Sequence, residues 1–291
     1  MAWGTGCWCG SGKKWNRCHF PVVDPKSDFK TVSQIYKKTW RVIIKNKQQI
    51  DGIRKACLIA SRILDCLCKE AKEGVSLLEL DAISKELHAK FGVRAAPFGY
   101  GSPPFPASIC TSLNEVICHG IPDSYVLKKG DILNIDVTVI WNGYYGDTSR
   151  MVCIEPISES KRSLVDTCLE AMKCGIEVVK PGNKVSDIGL AITSLSEEYG
   201  YSVVDAFVGH GTGIHFHEAP NIFHSLNDIH IPFYPGMTFT IEPMLNLGVK
   251  DGITDLNNGW TVRTTDGLPS AQWEHTILVT ETGYEILTHY P

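Results

Sequence analysis

Apolar positions between residues 53 and 71 recur at spacings of three and four. Ile53, Cys57, Ala60, Leu64 and Leu67 fall on one face, which predicts an amphipathic helix through "IRKACLIASRILDCLCKEAK". Asp51 reads as its cap and Gly74 as its stop. Ser76 then opens a second helix, with Glu79 completing a Ser-x-x-Glu capping box. Leu80, Ile83, Leu87 and Phe91 line its inner face, and Gly92 ends it. The arrangement returns about 110 residues later: "GVSLLELDAISKELHAKFGV" is echoed by "KVSDIGLAITSLSEEYGYSV". In the second copy Ser186 reads as the cap, Ile188, Ile192, Leu195 and Tyr199 form the stripe, and Gly200 is the stop. A helix rich in small and apolar residues, over 53–71 and 163–179, precedes each copy.

Between the helices the period changes to that of strands. "DILNIDVTVI" is β-branched and mostly apolar, and Asn142-Gly143 after it is a strong hairpin turn. "MTFTIEPML" and "EHTILVT" are further strands. Two helix pairs separated by strand-rich intervals predict an internally duplicated α+β domain. The repeat is too long for a solenoid.

Composition adds compartment and charge. The 291 residues are 43% hydrophobic and 21% charged, as in an ordinary globular chain. No apolar run reaches the length of a membrane span, and the amino terminus lacks the apolar core of a signal peptide, so a cytoplasmic protein is expected. Eleven cysteines form no secreted-scaffold pattern, which favours reduced thiols, some of them metal-bound. The net charge of −4 conceals an asymmetry: residues 1–50 hold ten Lys/Arg against two Asp/Glu. A basic arm on an acidic body suits a polyanionic partner.

Charges inside apolar strands mark the chemistry. If Asn142-Gly143 is a two-residue loop, Trp141 faces Tyr144 and Thr138 faces Asp147. Asp136 then shares a face with Asp147 and lies diagonally across from it. Two carboxylates so placed repel unless a cation lies between them, although an exposed strand edge would also tolerate them. Three more intrusions follow: His210 in "GHGTGIHFHEAP", Glu242 in "TFTIEPML" and Glu274 in "SAQWEHTILVT". Four carboxylates and one imidazole are too oxygen-rich for a structural zinc site. They suit Mn²⁺, Co²⁺ or Fe²⁺, and are enough for two ions.

These segments, with "NEVICHGIP" and "GWTVRTTDG", resemble in order and spacing the methionine aminopeptidases of the pita-bread metallopeptidase fold. The resemblance covers roughly residues 45–290. It implies an α+β, pseudo-two-fold domain, an antiparallel sheet covered by two helix pairs. It implies that Asp136, Asp147, His210, Glu242 and Glu274 bind two divalent ions and that Asp147 and Glu274 bridge them. Glu242 would also move a proton, His217 would hold the substrate carbonyl, and His119 would contact the peptide nitrogen after the first residue. Cys110, Phe216 and Trp260 would wall the methionine pocket, and Phe105 lies where the family often has an aromatic residue. The substrates would be peptides and nascent proteins beginning with Met. His210 and Glu242 are 32 positions apart, as are Glu242 and Glu274, which leaves no room for the helical insertion of the type 2 enzymes. The competing readings are an X-Pro aminopeptidase or prolidase, a non-catalytic ribosome-binding relative, and a thiol peptidase using Cys118 and His119. Adjacent strand residues point to opposite faces, which argues against that last pair.

The first twenty residues stand apart. In "CWCGSGKKWNRCHF", Cys7, Cys9, Cys18 and His19 offer three thiolates and one imidazole, a closed set for one structural Zn²⁺. The run resembles the SEC-C zinc module. Residues 1–20 are expected to be a zinc-binding motif, 21–45 a basic linker with at most a short helix, and 46–291 the catalytic domain. Lys13, Lys14 and Arg17 would make the motif a basic knob that docks on the ribosome or on a protein of the secretion path.

Overall fold

The computed structural model describes residues 6–24 and 26–289. The first five positions of the expected zinc motif, Pro25 of the expected linker and the last two positions of the expected catalytic domain lie outside the described residues. Among the described residues five α-helices organise the chain: α1 (Phe29–Trp40), α2 (Lys47–Glu70), α3 (Leu77–Phe91), α4 (Glu159–Glu177) and α5 (Ser186–Glu198). None is long and apolar enough to cross a membrane.

The first half is built on the hairpin of Ile132–Trp141 with Tyr144–Cys153, in the register expected from Asn142-Gly143. Both turn residues have positive φ, 48° and 82°, so the two-residue loop matches the twist of the strands. Cys110–Leu113 and Arg94–Ala95 pair antiparallel with the long Ile132–Trp141 strand. Helices α2 and α3 cover the sheet: Ala60, Leu64 and Leu67 of the anticipated stripe pack with Leu133, Ile135, Val137 and Val139, while Ile53 and Cys57 pack with Leu278 and Leu287 of the second half. The second half is a five-stranded antiparallel sheet running from Glu218–Ile222 through Gly209–Gly211, Thr238–Ile241 and His275–Val279 to Tyr284–Ile286. Helices α4 and α5 share its core: Cys168, Met172, Ile188 and Ile192 pack with Phe239, Ile241 and Ile277. The halves are stitched by a bridge between Ser149 and Glu274 and by the Thr276 hydroxyl donating to the Asp147 carbonyl at 2.7 Å.

Some local details differ from the sequence-based expectation. The cap of α2 is Asn46, in a reciprocal capping box with Gln49, and Asp51 lies inside the helix. The box satisfies two orphan donors where Asp51 would satisfy one, so the helix begins earlier. It also ends at Glu70, before Gly74. Ser76 and Glu79 do form their capping box on α3, and Gly92 closes it in the left-handed region. Ser186 is the first residue of α5 and makes no cap; Asp187 instead accepts the Lys184 N–H.

The stretch expected as a linker is packed structure. Helix α1 buries Val32 and Tyr36 in the core of the second half, and the Tyr36 hydroxyl donates to the Pro232 carbonyl. On its other side Ile35 meets Trp15 and Cys7 of the amino-terminal motif, and Phe20 packs on Trp40. The basic residues disguise an amphipathic helix, because lysines occupy only its outer face.

Candidate active site

The hairpin and the second-half sheet deliver their charged residues to one place. Thr138 pairs with Asp147 across the hairpin, and Asp136 faces Ser149, so the two aspartates share a face as expected. Glu274 enters through its bridge to Ser149. Ligand-type atoms of Asp136, Asp147 and Glu274 all lie within 4.8 Å of one another. His210 Nε2 lies 3.7 Å from Asp147 Oδ2 and 3.6 Å from Glu242 Oε1. A register shift between His210 and Gly211 in the Gly209–Gly211 strand turns that side chain toward the carboxylates. All five expected ligands therefore meet where the two halves meet.

Electrostatics define what this cluster wants. Burial, and then the neighbouring carboxylates, push Asp136, Glu242 and Glu274 well above the ordinary carboxylate range. Asp147 is pushed to about 7 by burial, against the Thr138 hydroxyl that donates to it at 2.6 Å. Asp136 Oδ1 is buried and accepts no hydrogen bond. His210 is lowered to about 4 by burial, so it is neutral at pH 7 and its approaches to Asp147 and Glu242 are not ion pairs. Its Nδ1 donates to the Gly211 carbonyl at 3.0 Å, which leaves the Nε2 lone pair aimed at the acids. Gathered acids, an orphaned buried oxygen and an oriented imidazole fit divalent cations, which satisfy all three at once.

Around the cluster lies a cleft of about 740 Å³. Two of the expected pocket residues, Cys110 and Trp260, pack together with Phe105 and Ala107. Phe105 meets the Trp260 ring edge-on. Phe216 stands apart from that group, stacked on Tyr145 and His217. Tyr100 joins the two walls: its ring is 5.0 Å from Phe216 and 6.4 Å from Trp260, and its hydroxyl is 2.9 Å from His217 Nδ1. His217 opens to solvent through the cleft and is nonetheless lowered to about 3, chiefly by desolvation. His119 is lowered to about 4 by burial and lies edge-on to Trp260 and Phe207.

Cys118 and His119 both line the cleft, contrary to the alternation expected of a strand. The strand ends at Cys118, and His119 takes φ +55°, which swings its ring back to the same side. Burial and the Glu242 and Asp136 carboxylates raise the Cys118 thiol well above its usual range, which is opposite to an activated nucleophile.

Sequence reasoning missed several supports. Tyr100 sits in a Gly/Pro-rich loop with no periodicity to single it out. Thr240 and Gln272 donate to the two oxygens of Glu242 at 2.7 and 3.2 Å, and His224 Nε2 accepts the Glu242 N–H. Thr240 lies two residues before Glu242, which directly follows the Thr238–Ile241 strand, so period two could have found it. His224 offered no such signal. Glu218, next to His217, accepts the N–H groups of Ile214 and His215 on Oε1 and Lys45 Nζ on Oε2 at 2.7 Å. His215 thus helps hold this loop through its backbone and also lines the cleft.

At the amino terminus Cys7, Cys9, Cys18 and His19 also converge within 4.8 Å. His19 Nδ1 lies 3.2 Å from the Cys7 sulfur and 3.3 Å from the Cys18 sulfur.

A buried carboxylate-rich cluster with one oriented imidazole, where the two halves meet, has the make-up of a metal-dependent enzyme's centre. The model of Metallopeptidase family M24 matches residues 51–281. A methionine aminopeptidase of Chlamydia pneumoniae is 54% identical over 282 residues, 97% of each chain, and one of Rickettsia prowazekii is 45% identical over 82% of this chain and 92% of its own. The crystal structure of the methionine aminopeptidase from Rickettsia prowazekii superposes with a TM-score of 0.83 at 42% identity, covering 85% of this chain and all of that one. A prolidase from Pyrococcus furiosus, at 24% identity and a TM-score of 0.69, shares the fold. The chain belongs to metallopeptidase family M24 and, within it, to the methionine aminopeptidases. It has the pita-bread fold and is a hydrolase that works with divalent metal ions.

Proposed function

We propose that this centre removes the initiator methionine from nascent proteins by hydrolysing the first peptide bond. The meeting of Asp136, Asp147 and Glu274 within 4.8 Å, with His210 and Glu242 beside them, carries the reading. Those five residues would hold two ions, and the oxygen-rich set favours Mn²⁺, Co²⁺ or Fe²⁺. When bound, the ions supply Lewis acidity and lower the pKa of water. Glu242, fixed by Thr240 and Gln272, is oriented to take up a proton at its carboxylate and return it to the leaving amine. In the tautomer whose Nδ1 accepts from the Tyr100 hydroxyl, neutral His217 carries its proton on Nε2 and would donate a hydrogen bond to the substrate carbonyl. His119, held between Phe207 and Trp260, contacts the amide nitrogen that follows the first residue. Cys110, Phe105, Trp260 and Phe216 wall an apolar chamber suited to an unbranched thioether.

The test is methionine release from short peptides after chelation, with Mn²⁺, Co²⁺ and Fe²⁺ added back singly. Restored release by at least one ion supports the reading. Turnover that survives complete metal removal sinks it. X-Pro peptides as substrates separate the prolidase alternative.

Metal uptake should also be pH-dependent. Carboxylates raised in the metal-free protein retain protons near pH 7, so cations must displace them, and affinity falls as pH drops through the Asp147 value of about 7. Titration calorimetry at pH 6.5 in two buffers of different protonation enthalpy should give different apparent enthalpies. Identical values would show that no proton is released.

Residues 46–291 hold the proposed catalytic residues, on a core that residues 29–45 complete, and Cys7, Cys9, Cys18 and His19 are the proposed holders of one structural Zn²⁺. Lys13, Lys14 and Arg17, all exposed, and half-open Trp8 suit a polyanionic surface, and we assign the motif to ribosome docking in the cytoplasm. Reversing the three charges with Lys13→Glu, Lys14→Glu and Arg17→Glu should weaken ribosome co-sedimentation while short-peptide turnover persists. Unchanged co-sedimentation, or retained capture by a secretion-path protein alone, would count against ribosome docking. Charge reversal is a cleaner test than removing residues 1–20, because Trp15, Phe20 and Cys7 pack against Ile35 and Trp40.

A further inference from the structure

The segment just after α1 also lines the cleft, through Arg41 and Ile43. Residues 41–45 run beside the Glu218–Ile222 strand, with a parallel bridge between Val42 and Ala219. The segment alternates. Val42 and Ile44 are buried in the core, while Arg41 and Ile43 line the cleft alongside His215, Ala219 and Asn221. Lys45, on the same side as Arg41 and Ile43, is consumed by its ion pair with Glu218, where both side chains are only 1% exposed. Arg41 itself is exposed, and among the described residues its guanidinium pairs with no carboxylate. It is also the one Lys or Arg among the described residues lining the cleft, whose other ionisable groups are acids, histidines, thiols and the Tyr100 phenol.

The position of Arg41 is set by its neighbours. It closes α1 in the left-handed region, with φ +62°, and its N–H donates to the carbonyls of Tyr36 and Lys37. A non-glycine residue holds that conformation only when both flanks are anchored. Here Tyr36 is buried on one side, and Val42, Ile44 and Lys45 are buried on the other. A cation fixed at a cleft mouth acts on a substrate longer than the one residue the chamber takes.

We propose that Arg41 is a specificity-determining residue that binds a carboxylate carried by the substrate downstream of the scissile bond. The proposal rests on the aminopeptidase reading above: the methionine side chain enters the chamber of Phe105, Cys110 and Trp260, and the following residues leave past His217 along the 41–43 wall. The carboxylate has two sources, an acidic side chain at the third or fourth residue of a protein or the free carboxyl end of a short peptide.

The experiment measures kcat/KM on the metal-loaded full chain for Met-Ala-Ser-Asp and Met-Ala-Ser-Lys, each as carboxyl amide and as free acid. Within each protein the readout is a ratio, acidic over basic side chain or free acid over amide, so the active fraction cancels. The wild type should favour the carboxylate in at least one comparison by roughly two- to fivefold, expressed in KM and shrinking with added salt. Arg41→Gln should bring that ratio to about one, and Arg41→Glu should invert it. The comparison that responds names the source. Ratios that are the same in wild type and Arg41→Glu overturn the proposal and leave the aminopeptidase reading standing. Absence of metal-dependent release from every peptide removes that reading and this proposal with it.

Discussion

His210→Ala should lower kcat/KM for methionine release by roughly 10³-fold, with the chain still folded. In the proposed centre His210 would act on the metals, and its side chain does little for the fold. Its ring is neutral, Nδ1 is spent on the Gly211 carbonyl, and Nε2 faces Asp147 and Glu242 at 3.7 and 3.6 Å without pairing to either. Removing the ring deletes one neutral donor from a set otherwise made of acids, so cation affinity should fall along with turnover. The anchoring of the strand itself is spared, because the His210 N–H bonds to the Thr240 hydroxyl through the backbone. The checks are steady-state kinetics at several metal concentrations, calorimetric metal stoichiometry and a thermal melt. Near-normal turnover in a fully metallated variant would remove His210 from the centre.

Lys45→Met should destabilise the fold by about 3–5 kcal/mol, the usual cost of leaving one member of a buried ion pair alone. Burial pulls the Lys45 pKa down, and the Glu218 charge pulls it partly back. Without the ammonium, Glu218 keeps only the Ile214 and His215 N–H groups, on the other oxygen. Those groups shape the turn that presents His217, so turnover should fall along with stability. Urea denaturation measures the first and kcat the second. Adding Glu218→Gln removes the orphaned charge, and the double variant should be more stable than the two single losses added together. Simple additivity would show that the pair is not coupled.

These two residues differ in how legible they were. His210 stood out as a titratable side chain between glycines, and gained weight only beside the four acids. Asp136 and Asp147 were readable as same-face neighbours, because a two-residue turn sets the register of everything beside it. Lys45 looked like one more charge in a basic arm, and no local rule separates a solvated lysine from one that reaches a partner 173 positions away. Tyr100 was hidden for a similar reason, since its partner His217 lies 117 positions on.

The sequence by itself determined the two helix pairs, the hairpin and its register, and the identities of the acids and histidine set into strands. Each follows from interactions within a turn of helix or across a two-residue loop, which the order of residues specifies directly. Only the tertiary structure decided that the halves close through Ser149 and Glu274, so that five separate intrusions become one centre. It also decided that residues 21–45 fold onto the core and carry Lys45 to Glu218 and Arg41 to the cleft. Such meetings depend on how whole apolar faces pack, and that is a property of the assembled layers.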